Sequence, residues 1–459
     1  MSPSTSATAA QLARRKYLLG LPFWQWVLLA AGGGILLLQT LLGDQGMANG
    51  ITGGVLILTG LLCLVWFTFC SGFTRPARFL SAGIIVILVG GVMALVRIEG
   101  LSGNIIPTLA FRYSARPIER EPAPPVADFT ARVDLRTTTK HDFPQFLGPN
   151  RDESVPGIKL QRDWTAHPPK ELWRQPIGAG WSGFAVVNGY AITMEQRGAT
   201  EMVTCYHVET GKLQWAHGVK ARYDQLFGGI GPRCTPTIHY GRVYALGATG
   251  MFHCLDGATG QVVWSKDLLR VFGSTAADED ALVRHGRSNS PLIVDDLVIV
   301  PAGGPVKGPQ YSLAAFHQDG GALIWRGGDH NVSYSSPTLA TLGGVRQILS
   351  VNEHQVSGHD PKTGAQLWQF EWPGTTSNDA NVSQAVPVPP KRVFVSKGYG
   401  GGAKLVELQP KGDGTFDVRD IYHQTRSMRT KFTNVTLKDG YVYGLSDGIL
   451  ECMQLDTGK

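Results

Sequence analysis

One recurring pattern constrains the fold of this chain more than any other feature. A small residue is followed six positions later by a turn glycine, and four positions after that by a tryptophan. Cys205, Gly211 and Trp215 form the first copy, and Cys254, Gly260 and Trp264 the second. Ala315, Gly321 and Trp325 form the third, and Gly358, Gly364 and Trp368 the fourth. Cys452 and Gly458 begin a last copy, and Trp173 ends an earlier half-copy. The tryptophans are separated by 42, 49, 61 and 43 residues. A period of this size, built from short apolar segments between turns, predicts a propeller or a similar array of small sheets.

Each unit reads as four strands. In the second, Thr235–His239, Arg242–Leu246, Met251–Leu255 and Gln261–Trp264 are divided by turns at Tyr240-Gly241, Thr249-Gly250 and Thr259-Gly260. Apolar residues alternate within the segments, and glycine supplies the left-handed backbone that tight hairpins need. The tryptophan then lies on the outermost strand and packs between neighbouring blades, while the small residue sits on a crowded inner strand. Cys205, Cys254 and Cys452 all occupy that small-residue position in different blades. They read as packed thiols rather than a disulfide framework, and no CxxC metal motif occurs. The fold class expected is an all-β propeller of four-stranded blades, about six in this chain, preceded by three transmembrane α-helices. Lys459 falls inside the last copy, before its tryptophan, so the ring is expected to be incomplete in this sequence or to close irregularly.

Three apolar runs, Phe23–Leu42, Ile51–Phe69 and Phe79–Val96, contain no charged side chain. A helix of about 20 residues crosses a hydrocarbon core of about 30 Å. Trp24, Trp26 and Trp66 lie near run ends, as in an aromatic belt. Arg14, Arg15 and Lys16 precede the first run, Arg75 and Arg78 separate the second from the third, and only Asp44 is charged between the first two. The positive-inside rule places the N-terminus in the cytoplasm and everything after Arg97 outside it. Arg14-Arg15 also fits a twin-arginine export signal, but a cleaved signal is not normally followed by two further spans. The divisions read are a cytoplasmic tail at 1–22, three transmembrane helices within 23–97, a Pro-rich linker at 98–142 marked by Pro117, Pro122, Pro124 and Pro125, and the propeller at 143–459. A net charge of +6 gives no reason to expect a nucleic-acid partner.

The Thr-Gly-Lys-x-x-Trp endings, with Leu-Asp-like residues before them, resemble the repeats of quinoprotein-alcohol-dehydrogenase-like β-propellers, the PQQ-like repeat family. Phe143-Pro-Gln-Phe-Leu-Gly-Pro-Asn-Arg-Asp is similar to the opening of many such proteins. The resemblance covers 143–459. It implies a full ring of seven or eight blades. It also implies one of two roles: a calcium- and PQQ-dependent alcohol or sugar dehydrogenase, or a non-catalytic scaffold of the kind used in outer-membrane protein assembly. Several membrane-bound sugar dehydrogenases of the family also join N-terminal helices to a periplasmic propeller.

Propeller sites form where first strands and their preceding loops reach the central channel. The residues there are polar in every blade: Trp181 and Ser182 in the first, Arg233 to Thr235, Arg287 to Ser290, Ser335 and Ser336, Asn378 to Gln384, and Arg429 to Asn434. From these, Trp181, Arg233, Arg287, Asn289, Ser336, Asn381, Lys431 and Asn434 are the candidate ligand-binding set. Their cationic character suits an anionic or carboxylate-bearing small ligand, PQQ included, held by arginine forks. The competing reading is that these groups hydrogen-bond loop backbone and ordered water. For the dehydrogenase, the resemblance implies adjacent cysteines, which this sequence lacks. It also implies a calcium site, which Asn378, Asp379 and Asn381 could offer, an Asp base, for which Asp379 is the only candidate, and a tryptophan beneath the quinone, for which Trp181 is the only candidate. No residue is assigned as a metal ligand or as catalytic outside that dehydrogenase reading. The expected function is a membrane-anchored, periplasm-facing binding or scaffold module of the cytoplasmic membrane. It would engage a partner protein or a small anionic ligand at the channel mouth. The alternative is a PQQ/Ca-dependent dehydrogenase passing electrons to membrane quinone.

Overall fold

The structure, a computed structural model, describes residues 17–18, 21–41, 45–102, 104–116, 133–155, 157–375 and 379–459. Arg14 to Lys16, Asp44, Pro117 to Pro125 and Asn378 lie outside the described residues. The chain divides into two compact units, Met1–Ser114 and Ala115–Lys459.

The first unit contains three apolar helices: α1 (Phe23–Leu41), α2 (Gln45–Cys70) and α3 (Arg75–Leu95). Pro76 at the start of α3 fits the helix N-terminus, where a missing N–H costs nothing. Two of the three are long and apolar enough to cross a bilayer: α2 over Gly46–Cys70, and α3. The described apolar part of α1, Gln25–Leu41, is shorter. The expectation of three spans therefore reduces to two, because the chain turns out of α1 after Leu41 rather than carrying the helix further. A hairpin of Val96–Leu101 and Pro107–Phe111 follows α3, inside the stretch read as linker.

The second unit is a succession of antiparallel sheets whose strands pair in chain order. Sheet 1 comprises Ala185–Val187, Tyr190–Arg197, Thr200–His207 and Leu213–Val219. Sheet 2 comprises Thr237–His239, Arg242–Leu246, Met251–Asp256 and Val262–Asp267. Sheets 3, 4 and 5 run over 292–327, 338–371 and 386–424, and a three-stranded sheet 6 runs over 435–454. The first strands of sheets 1 to 5 lie side by side in that order. Sheets of four antiparallel strands arranged this way fit a β-propeller. The long tryptophan spacing between sheets 2 and 3 has a simple cause. Two short helices, α4 (Leu268–Phe272) and α5 (Ala276–Leu282), are inserted there, capped by Asp267 and by a Thr275–Asp278 capping box.

The repeat motif is an inter-sheet latch. On the third strand the small residue pairs with the tryptophan of the fourth, as Cys205 with Trp215, Cys254 with Trp264, Ala315 with Trp325 and Gly358 with Trp368. A bulge follows each pair, which strengthens the local twist. Each indole N–H then reaches the next sheet and donates to a carbonyl three residues before that sheet's turn glycine. Trp173 donates to Val208 at 2.7 Å, Trp215 to Gly257 at 3.0 Å, Trp264 to Gln318 at 2.8 Å and Trp325 to Pro361 at 3.1 Å. The glycine itself lies under the ring. A Cβ on Gly211, Gly260, Gly321 or Gly364 would stand 2.4–2.7 Å from indole carbons, and each of these glycines has a positive φ. Glycine is therefore required twice over, by backbone and by space.

Sheet 5 departs from the motif. Its last hairpin turns through Lys411 to Thr415 without the Thr-Gly signal, and Tyr422 pairs with Leu405 where a tryptophan would stand. The Tyr422 hydroxyl makes the same latch, donating to the Leu455 carbonyl at 2.8 Å, three residues before Gly458. Trp368, facing this altered neighbour, turns its N–H to Gln347 in its own sheet and stacks on Phe370.

Candidate functional site

The segment entering the second unit sets the geometry of its inner side. Val133 and Leu135 are buried against sheet 2, with Val133 N donating to Ala258 O and Gly241 N to Leu135 O. This stretch, read as linker, is part of the repeat unit. The chain then crosses the inner strands as an arm. Phe143 bridges Val186 of sheet 1, and Pro144 O accepts from Ile238 N of sheet 2. Arg151 is 5% exposed and donates to Ser290 and Pro291 carbonyls of sheet 3 and to Pro337 O of sheet 4 at 2.8 Å. The amide of Gln384, at the start of sheet 5, donates to Arg151 O, and Glu153 accepts from Thr436 of sheet 6 at 2.9 Å. One short segment thus touches all six sheets. Arg151 Nε is satisfied by Gln145 at 3.0 Å, and burial pulls the guanidinium down to about 9. Arg151 was not among the candidate residues. No repeat carries it, and its Asn-Arg-Asp context reads as an ordinary loop.

Above the arm, the polar residues before each first strand bind the sheets to one another. Gly183 N donates to Thr235 Oγ1 at 3.2 Å, Thr235 N to Ser290 Oγ at 3.0 Å, and Ser290 N to Ser336 Oγ at 2.9 Å. Gln384 N donates to Asn434 Oδ1 at 2.8 Å. Asn289 donates to Ser333 O and Ser335 O at 2.8 and 2.7 Å, and the Ser333 hydroxyl to Asn381 O at 2.6 Å. Asn381 donates to Asn352 O and Trp372 O. The Oδ1 atoms of Asn289 and Asn381 are buried without a partner. These positions form a ladder that steps from sheet to sheet.

The cations are also engaged. Arg287, 1% exposed, holds Glu279 of α5 in a bidentate pair at 2.9 and 2.7 Å. Arg429 and Lys431 share Asp447 at 3.0 and 3.5 Å. Arg233 differs. It lies over the Tyr223 ring at 4.5 Å and donates to Gly228 O, while its Nη1 atom is buried without a partner among the described residues. Burial lowers its pKa, opposed by Tyr223, Tyr334 and Glu201. Glu201 is buried beside Ala248 N, and desolvation raises its carboxyl to about 7.

Of the eight candidate residues, the structure brings Trp181 and Arg233 together on one cavity of about 520 Å³, walled also by Phe143, Phe146, Phe184 and Glu153. Arg287, Asn289, Ser336, Asn381, Lys431 and Asn434 stand elsewhere on the ladder. The residues do not fit calcium with PQQ. Calcium needs six to eight oxygen ligands. Asp379 Oδ1 accepts from Thr375 N and Oγ1, and its Oδ2 stands 3.5 Å from the Lys397 ammonium. That ammonium also donates to Asp379 O at 2.8 Å. A cation is thus already seated where the divalent ion would go. Trp181 is 69% exposed and so provides no enclosed stacking face, and Arg151 occupies the position against the inner strands.

Comparison with known proteins follows the repeat. Residues 199–459 match the PQQ-like family described as outer membrane protein assembly factor BamB. A protein of that description from Shewanella oneidensis is 24% identical over 242 residues, which are 50% of this chain and 55% of that one. The chain therefore spans about half the length of the curated relative it matches. Among solved structures, a europium-containing methanol dehydrogenase aligns at 10% identity over 62% of this chain and 70% of its own, with a TM-score of 0.44. BamB from Moraxella catarrhalis aligns at 16% over 60% and 83%, with 0.37. Quinohemoprotein alcohol dehydrogenase from Comamonas testosteroni aligns at 14% over 71% and 61%, with 0.42. With more than half of its length matched, the chain belongs to the PQQ-like repeat family of the assembly factor BamB.

Proposed function

We propose that this protein is a binding or scaffold module: a PQQ-like propeller carried outside the cytoplasm by N-terminal membrane helices and engaging a protein partner. One observation carries the reading. The polar residues that would have to grip a cofactor are instead spent between sheets, from the Gly183–Thr235–Ser290–Ser336 ladder to the Arg287–Glu279 pair. Buried polar groups that already have partners gain little from a ligand and lose those partners if they turn to one. The relative described as an outer membrane protein assembly factor supports the same reading, with assembly of envelope proteins as the setting. Trp181 and Arg233 remain the place where a small anionic ligand would enter.

Calorimetric titration of the full-length solubilised protein with PQQ, with and without Ca²⁺, tests this. No heat is expected on folded protein, and Ca²⁺-dependent binding at micromolar concentration or tighter would overturn it. Protease accessibility of the repeat unit in intact spheroplasts tests the placement, with cleavage expected and full protection refuting it.

A further inference from the structure

The hairpin after α3 has two unlike faces. Val96 stands opposite Phe111 and Ile98 opposite Leu109, so these four share one face. Tyr113 extends that side, its ring 5.6 Å from Phe111. Ile98, Leu109, Phe111 and Tyr113 are 57, 60, 52 and 75% exposed, with nothing of their own unit upon them. The opposite side is polar and tied down. A bulge at Glu99 brings that carboxylate to Arg97 at 2.7 Å. Arg97 also donates to the carbonyls of Arg112 and Ser114, and Arg112 to those of Met93 and Val96 at the end of α3.

The hairpin is held at one end of the helix group. Its first strand continues α3 without a loop. Its tip reaches the start of α2, where Asn49 donates to Asn104 O at 2.9 Å and Ile105 covers Gly50. The end of α3 and the start of α2 are the same ends of two antiparallel candidate spans. We infer that the hairpin lies in the bilayer surface, with Ile98, Leu109, Phe111 and Tyr113 facing the boundary of headgroups and acyl chains. This inference rests on the membrane reading of α2 and α3. An apolar face with aromatic edges suits that boundary, where aromatic side chains concentrate. Arg97 and Arg112 sit where long cationic side chains reach headgroup phosphates. A protein partner would not require the patch to stand level with the helix ends, whereas the bilayer does.

The test uses the full-length chain in vesicles of phosphatidylethanolamine and phosphatidylglycerol. A photoreactive benzoylphenylalanine is placed singly at Ile85 in α3, at Leu109, or at Thr108 on the other face of the hairpin. Adducts are read by mass spectrometry. Lipid adducts are expected at Ile85 and Leu109, with severalfold less at Thr108. Lipid at Ile85 with none at Leu109, or equal yields at Leu109 and Thr108, overturns the hairpin's placement and leaves the spanning helices standing. No lipid at Ile85 overturns the spanning reading and this inference with it. Protein adducts in place of lipid at Leu109 overturn it in favour of a protein partner or a second copy. The exposed pair Leu109→Asp with Phe111→Asp should also remove most lipid adducts formed from the same probe at Tyr113, and an unchanged yield there would refute the inference.

Discussion

The outer and inner sides of the repeat unit join neighbouring sheets by opposite means. On the outside, one large ring per junction packs on a glycine and makes one hydrogen bond, as Trp215 does to Gly257 O. The device is repeated nearly unchanged, and Tyr422 reproduces it without the sequence motif. On the inside, the junctions use different residues each time: a Thr, a Ser, a second Ser and an Asn, braced by a single non-repeated arginine. Apolar packing tolerates one solution copied many times. Buried hydrogen bonding does not, because each donor needs an acceptor at its own distance and angle.

The largest test of this contrast is Trp215→Ala. The ring is fully buried, so stability should fall by about 3–5 kcal/mol in chemical denaturation, and a loss below about 1 kcal/mol would break the latch account. Arg151→Met comes next. It strands the Ser290, Pro291 and Pro337 carbonyls, and a loss of about 3 kcal/mol is expected. A neutral result would mean that the arm merely rests on the sheets. The third is a pH effect at the outer junction of sheets 1 and 2, where His253 meets His217 with ring centroids 5.1 Å apart. Burial lowers His253 to about 4, with His217 adding to the effect. Its folded-state value lies below the unfolded one, so the neutral ring's stability is fully present above about pH 6.5 and is lost as pH falls toward 4. Unfolding midpoints of the protein and of His253→Phe should diverge in that window by the equivalent of about 2 kcal/mol. Parallel midpoints would contradict it. The smallest is Ser290→Ala, which leaves Thr235 N without its acceptor and should cost about 1–2 kcal/mol. If it costs nothing, the ladder contributes no stability.

The outer junctions were legible because the Gly-to-Trp spacing records one repeated contact. The strands of sheet 2 fell within a residue or two of their expected bounds for the same reason. Tyr422 escaped notice because Leu405 is not small and the Lys411–Thr415 turn lacks Thr-Gly. The inner side was legible as polar, and polarity alone does not say whether a group faces a ligand or a neighbouring strand. Arg287 shows the difficulty. Its partner Glu279 comes from α5, an insertion that the 61-residue spacing announced only as extra length. The arm was invisible to any search for repeats, since it occurs once.

That arm also bears on the order in which the molecule is made. It leaves the ribosome before any of the six sheets, yet its partners lie as far along the chain as Pro337, Gln384 and Thr436. Contacts so distant in sequence form slowly, and domains take shape from the N-terminus as synthesis proceeds. The first stretch of the repeat unit to be synthesised is thus among the last to be fixed, and Arg151 must wait in solvent for more than half of the unit to be translated and folded around it.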